Sequence, residues 1–227
     1  MKKSLMLLSI IASLASANAY AKTEGQYIGF DLLRSNAEVK TTKDKFSANT
    51  DKYFNTNRKD SSIGLGFNYS YAFNFDKFFV APGAFFDLLN NQTNVRDSVN
   101  SYNQDVSIKS RYGIKANFGY DITDQFSAYI PLGISVNQYE LNTNDHLGSS
   151  YLKLTQTGFE SALFYGLGFA YHPTKELAIN LEYNNSSFDI KSKTNVALMG
   201  FANSSNSVTL KSNVNLNVIK LGVSYNF

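Results

Sequence analysis

Hydrophobic and polar positions alternate one for one along much of this chain, and the clearest case is its end. Ile219, Leu221, Val223, Tyr225 and Phe227 hold one phase there, and Lys220, Gly222, Ser224 and Asn226 hold the other. A period of two predicts a strand with one apolar and one polar face. Seven earlier stretches repeat the pattern: Tyr27 to Leu33, Ile63 to Phe73, Lys77 to Leu88, Arg111 to Tyr120, Phe126 to Val136, Glu160 to Tyr171 and Leu177 to Tyr183. Short turns join three pairs of them, at Asn74 to Asp76, Asp121 to Gln125 and His172 to Glu176, the last holding Pro173. Long polar stretches separate the others and predict loops: Arg34 to Ser61, Leu89 to Ser110, Asn137 to Gly158 and Asn184 to Asn213.

Strict alternation of short turns and long loops, with an even strand number, is the pattern of a barrel that crosses a membrane. The expected fold is all-β: an eight-stranded antiparallel up-and-down transmembrane β-barrel with four long extracellular loops and three short periplasmic turns. Strands of about 9–11 residues suffice for a tilted crossing. Charges and glycines test faces that were drawn from apolar residues alone. Asp31, Lys77, Asp87, Arg111, Lys115, Glu160, Glu182 and Lys220 all fall opposite the apolar face. A lipid-facing Lys or Arg near the midplane would cost about 2–4 kcal/mol. The strand glycines fall on the same inward face, where a narrow barrel has little room for side chains. A soluble barrel would invert this, with large aromatics inside and glycines in water. Phe73, Phe78, Tyr120, Phe126, Tyr171 and Phe227 gather at the turn ends of the outward face, as an interfacial girdle does.

Two features interrupt the pattern. Pro82 and Pro131 lie inside strands, where a missing N–H predicts local bulges. The apolar phase also slips at Val218-Ile219, where Val214, Leu216 and Val218 run out of step with the closing strand. Either a bulge or an upper segment standing above the lipid accounts for it.

The start of the chain differs from the rest. Lys2 and Lys3 precede an apolar run from Leu5 to Leu14, and Ala19-Tyr20-Ala21 is a small-x-small site, with Ala17-Asn18-Ala19 a second one. Residues 1–21 thus read as a secretory signal peptide and 22–227 as the barrel domain. There is no Cys, which removes disulfides, thiol catalysis and Cys-based zinc sites from consideration. The chain holds 21 basic and 18 acidic residues; without Lys2 and Lys3 the count is 19 against 18. A nearly neutral mature chain gives no reason to expect a nucleic-acid partner.

Gly119-Tyr120-Asp121-Ile122-Thr123-Asp124-Gln125-Phe126 resembles the turn between the fourth and fifth strands of OmpA-type barrels. Leu181-Glu182-Tyr183 and Leu221-Gly222-Val223-Ser224-Tyr225-Asn226-Phe227 resemble the last two strands of the same group. The opacity-type surface proteins share the architecture. The resemblance implies residence in the bacterial outer membrane, outer-membrane lipid as surroundings, and delivery by the barrel assembly machinery. Leu221, Val223, Tyr225 and Phe227 would form the C-terminal assembly signal. Some interior charged positions of the family align with Asn117, Pro131 and Asn180 here. Asn- and Lys-rich loops and small size also resemble the rickettsial adhesins of this superfamily.

The candidate chemistry is sparse. The two histidines are His172, in a short turn, and His146, near Ser149, Ser150 and Glu160 in a polar stretch. His-x-x-Ser matches no known catalytic spacing, and two separated histidines make a poor metal site. No enzyme activity, cofactor or metal is expected. Asp31, Asp87, Arg111, Lys115, Glu160, Glu182 and Lys220 are the interior charges, expected to pair and plug the lumen rather than conduct. Loops on a rigid scaffold commonly carry binding. Lys43, Lys45, Arg58 and Lys59 in the first, and Leu198, Met199 and Phe201 in the fourth, are the candidate binding residues. The expected function is that of a surface adhesin contacting a host-cell surface protein. A structural barrel or surface antigen, and a small diffusion pore, are the other readings.

Overall fold

The computed structural model describes residues 23–43, 55–97, 102–147, 150–195 and 207–227. Eight antiparallel strands close into one barrel in chain order. They are β1 (Gly25–Lys43), β2 (Asn55–Phe75), β3 (Phe78–Asp97), β4 (Tyr102–Asp121), β5 (Phe126–Leu147), β6 (Ser150–Tyr171), β7 (Leu177–Asn195) and β8 (Ser207–Asn226). The turn-proximal part of each strand behaves as its alternation requires. Phe30, Leu65, Phe86, Ile114, Leu132, Leu163, Leu181 and Leu221 point outward and are exposed. At the turn ends Phe78 packs edge-on to Tyr120, Phe126 stacks on Tyr171, and Phe227 meets Tyr225.

The inward glycines have a steric basis. A Cβ on Gly119 would meet the ring of Phe79, and one on Gly168 would meet the ring of Tyr129. Each glycine is the floor on which an interior aromatic lies.

Four expectations need correction. The first concerns strand length. The strands run 19 to 22 residues, about twice the 9–11 that a crossing needs. Most of what polarity assigned to loops is paired strand, because a ladder satisfies the backbone whether its outer face meets lipid or water. What remains between strands is residues 44–54, 98–101, 148–149 and 196–206, which lie outside the described residues. Second, Lys77 sits in the β2–β3 turn, exposed, and not in a strand. Third, neither Pro82 nor Pro131 makes a bulge. The β2–β3 ladder skips the pairs opposite Ala81 and Pro82, and the β5–β6 ladder those opposite Ile130 and Pro131, with no change of register beyond. Each proline drops local pairing toward one neighbour and keeps it toward β4. Bulges do occur elsewhere, at Leu89–Asn90 in the β3–β4 ladder, where Asn90 has a φ of 82°, and at Lys109 in the β4–β5 ladder.

Fourth, of the two readings of the phase slip in β8 the bulge fails, and the upper segment standing above the lipid remains. The β8 register is unbroken against both β1 and β7. Val214, Leu216 and Val218 simply point inward and are fully buried. They belong to an apolar cluster with Leu33, Ala37 and Val39 of β1, Phe188 and Ile190 of β7, and Leu89, Val106, Ile108, Tyr139, Leu141 and Ala162 from β3 to β6.

The ladder itself changes at this level. β2 and β3 pair only from Leu65↔Leu88 down to the turn, and β6 and β7 only from Phe164↔Ser186 down. Above those points two four-stranded sheets remain, β7-β8-β1-β2 and β3-β4-β5-β6. The cluster draws on both, and is the filling between them.

Candidate functional site

Six of the seven interior charges meet in one belt beneath that apolar filling. Arg111 donates to Asp87 Oδ2 through Nη2 at 2.7 Å and Nε at 3.1 Å. Lys220 Nζ donates to Asp87 Oδ1 at 2.7 Å and lies 3.7 Å from Asp31 Oδ2. Lys115 Nζ donates to Glu182 Oε2 at 2.7 Å. The Glu182 carboxylate also accepts from Tyr129 Oη at 3.2 Å and Asn184 Nδ2 at 2.8 Å. Asn68 Nδ2 donates to Asp31 at 2.9 Å. Three carboxylates thus face three cations, so the belt is formally neutral. An unpaired charge at this depth would carry its whole desolvation cost.

Arg111, like Asp87, has no exposure. Its guanidinium lies 5.1 Å from the Phe85 ring and 5.5 Å from the Phe164 ring. Lys220 Nζ stands 4.9 Å from the same Phe85. Arg111 Nη1 has no hydrogen-bond partner among the described residues, and the guanidinium that carries it lies over two ring faces, which attract a cation. Glu160, the seventh charge, is half-buried higher in β6 and lies outside the belt. Below the belt is a cavity of about 60 Å³ lined by Tyr129, Asn117, Asn180 and Lys115 among others, with room for a few waters.

A second polar cluster closes the turn end, and sequence reasoning missed it. Thr23 Oγ1 and Ser127 Oγ both donate to Asp121 Oδ1 at 2.7 Å. Asn74 Nδ2 donates to Asp121 Oδ2 at 3.2 Å. His172 Nε2 lies 3.5 Å from both hydroxyl oxygens. With both hydroxyl protons committed to Asp121, the His172 tautomer that fits carries its proton on Nε2. Burial holds His172 below its ordinary range, against the opposing pull of the Asp121 carboxylate. The residue types are those of a Ser-His-Asp triad, but the order is wrong. The carboxylate takes the serine proton directly and does not orient the imidazole, so His172 is not set up as a general base. The signal in sequence was only Asp121, Ser127 and His172 at strand ends; nothing there shows that Thr23 joins them.

The profile of the family described as "Outer membrane protein beta-barrel domain" matches residues 5–227. The chain belongs to that family. It is a bacterial outer-membrane β-barrel. No curated protein sequence matches it. Among solved structures it resembles OprG from Pseudomonas aeruginosa at 17% identity, covering 92% of this chain and 99% of that one, with a TM-score of 0.59. It also resembles AlkL at 18% identity, covering 94% of each chain, with a TM-score of 0.49. A third is Ail, the attachment invasion locus protein of Yersinia pestis, at 18% identity over 90% of this chain and all of that one, with a TM-score of 0.43. At such identities the likeness is one of fold.

The short turns of this outer-membrane barrel face the periplasm, and the long upper strands stand outside. Three of the seven candidate binding residues are placed there. Arg58 and Lys59 are exposed in the upper part of β2. Lys59 lies 3.3 Å from Glu38, which also pairs with Lys40 at 3.5 Å. Lys43 ends β1. Lys45, Leu198, Met199 and Phe201 lie outside the described residues, so nothing places the two groups together. The backbone of His146 pairs with Tyr151 in the β5–β6 ladder. At the other end Leu221, Val223, Tyr225 and Phe227 form an exposed apolar row on β8.

Proposed function

We propose that the protein is a surface adhesin whose extracellular body contacts a host-cell surface protein without a cofactor. One observation carries the reading: each strand continues well past the lipid band into a packed two-sheet body. Passage of solutes needs no such body, whereas recognition benefits from rigid strands that hold contact residues. On this reading residues 1–21 are removed on export, and the barrel assembly machinery reads the apolar row of β8. Lys43, Lys45, Arg58, Lys59, Leu198, Met199 and Phe201 are the first positions to vary.

A structural barrel is the second reading, favoured by the neutral, mutually paired belt. Displaying the full chain on a non-adherent bacterium separates the two. Increased attachment to host cells, abolished when the host surface is treated with protease, supports the adhesin. Surface display without increased attachment leaves the structural reading.

A further inference from the structure

The two lines where the upper sheets face each other are not alike. At the β2–β3 line Gln92 N donates to Asp60 Oδ2 at 2.8 Å, and Ser62 Oγ donates to the Leu89 carbonyl at 3.2 Å. The Leu89–Asn90 bulge bends that edge as well, a recognised way of blunting a strand. At the β6–β7 line the ladder simply stops at Phe164–Ser186. From Ser187 to Asn195, β7 pairs with β8 on one side and, among the described residues, with no strand on the other. β6 from Ser150 to Leu163 likewise pairs with β5 alone. Phe159 stands on this lip, 59% exposed, above the lipid-facing Leu163 and among the polar Ser161, Thr157 and Gln138.

We propose that the open β6–β7 edge docks an extended segment of a partner protein, which adds to β7 as an antiparallel strand. The proposal deepens the adhesin reading and rests on it. Main-chain groups of β7 would supply the affinity, and alternate side chains the selectivity. One phase of the added strand continues the interior beside Phe188 and Ile190, both buried, and so is apolar. The other phase lies beside the exposed Asp189 and Lys191, and takes a donor or cation at the first and a carboxylate at the second. A second copy of this chain fits less well. Two copies in one membrane point the same way, so β7 could pair antiparallel only with a descending edge of the other copy, β6 or β2. The outward phases of those edges, Thr155, Thr157, Phe159 and Ser161 of β6 and Asn57, Lys59 and Ser61 of β2, bring no carboxylate to Lys191.

The test uses residues 22–227 in lipid nanodiscs to select short peptides from a random display library. Amide hydrogen exchange is then measured with the tightest peptide. The expected peptides alternate apolar and polar residues and slow, by about tenfold or more, the alternate amides of Ser187–Asn195 that point away from β8, with Asn55–Gly64 unchanged. Lys191→Glu, checked for folding by circular dichroism, shifts selection from acidic to basic peptides. The proposal is overturned if no peptide slows those amides, or if protection falls on β2 and β3 instead. It is also overturned if the amides are already slow in the free barrel, or become slow with barrel density alone, which would make the occupant a second copy. Attachment to host cells without strand addition sinks the docking site and leaves the adhesin; strand addition without attachment does the reverse.

Discussion

The lower and upper halves of this barrel solve opposite problems with the same strands. In the lower half Leu32, Leu65, Leu181 and Leu221 face lipid, while Asp31, Asp87, Glu182, Lys115 and Lys220 fill the interior. In the upper half Val39, Ile190, Val214 and Leu216 fill the interior, and Asn36, Glu38, Lys40, Asn213 and Asn215 face water. The solvent outside decides which phase is apolar. The lower half is held by ion pairs that must all be satisfied; the upper half is held by ordinary burial, as in a soluble sandwich.

The comparison is broken most severely in the belt. Asp87→Ala leaves Arg111 and Lys220 without their shared carboxylate and should cost about 3–5 kcal/mol, read as urea unfolding of the barrel in lipid vesicles. An unchanged midpoint would mean that the belt is not what holds the lower interior. Leu216→Ala should cost about 2–5 kcal/mol through loss of packing between the sheets. A value near zero would argue that the upper sheets are not packed on each other. Leu221→Lys, five residues further along the same strand but facing lipid, should cost about 2–4 kcal/mol when near the midplane. A lysine placed at Thr157, exposed and outward in the upper half of β6, should change stability by less than about 0.5 kcal/mol. Equal costs at 157 and 221 would erase the boundary drawn between the halves.

The periplasmic cluster adds a pH dependence to the lower half. Unfolded His172 takes a proton near its ordinary value of 6.5, whereas the folded site resists it. The unfolded state therefore binds more protons as pH falls through that value, and stability drops. Above it the contribution is fully present. His172→Gln should flatten this dependence, measured as the unfolding midpoint between about pH 7.5 and 5. A wild-type curve that stays flat would remove the buried neutral histidine from the account.

Strand number, strand order, the outward face and six of the inward charges were legible because alternation is strict where one side is lipid; Lys77 and Glu160 fell outside the belt. The upper strands were harder to see, although they leave a trace. Leu32-Leu33, Leu88-Leu89 and Val218-Ile219 are adjacent apolar pairs, and each marks the point where the apolar phase passes from outside to inside. Averaged polarity hid this, since Arg34-Ser35-Asn36-Ala37-Glu38-Val39-Lys40 is hydrophilic in sum and still alternates. The meeting of Thr23 with Asp121, Ser127 and His172 left no trace at all, because it joins the start of the barrel to the turns after β4 and β6.

By itself, then, the sequence determined that this chain spans a membrane as eight strands, which residues of each strand face lipid, and that its interior charges would be enclosed. These follow from a local rule, the two-residue period of a strand at a lipid–lumen wall. Tertiary structure decided which carboxylate pairs with which cation, that Phe85 and Phe164 flank Arg111, and that the ladder opens at β2–β3 and β6–β7. Those outcomes depend on register and closure around the whole barrel, which bring together residues such as Asp87 and Lys220 that no local pattern connects.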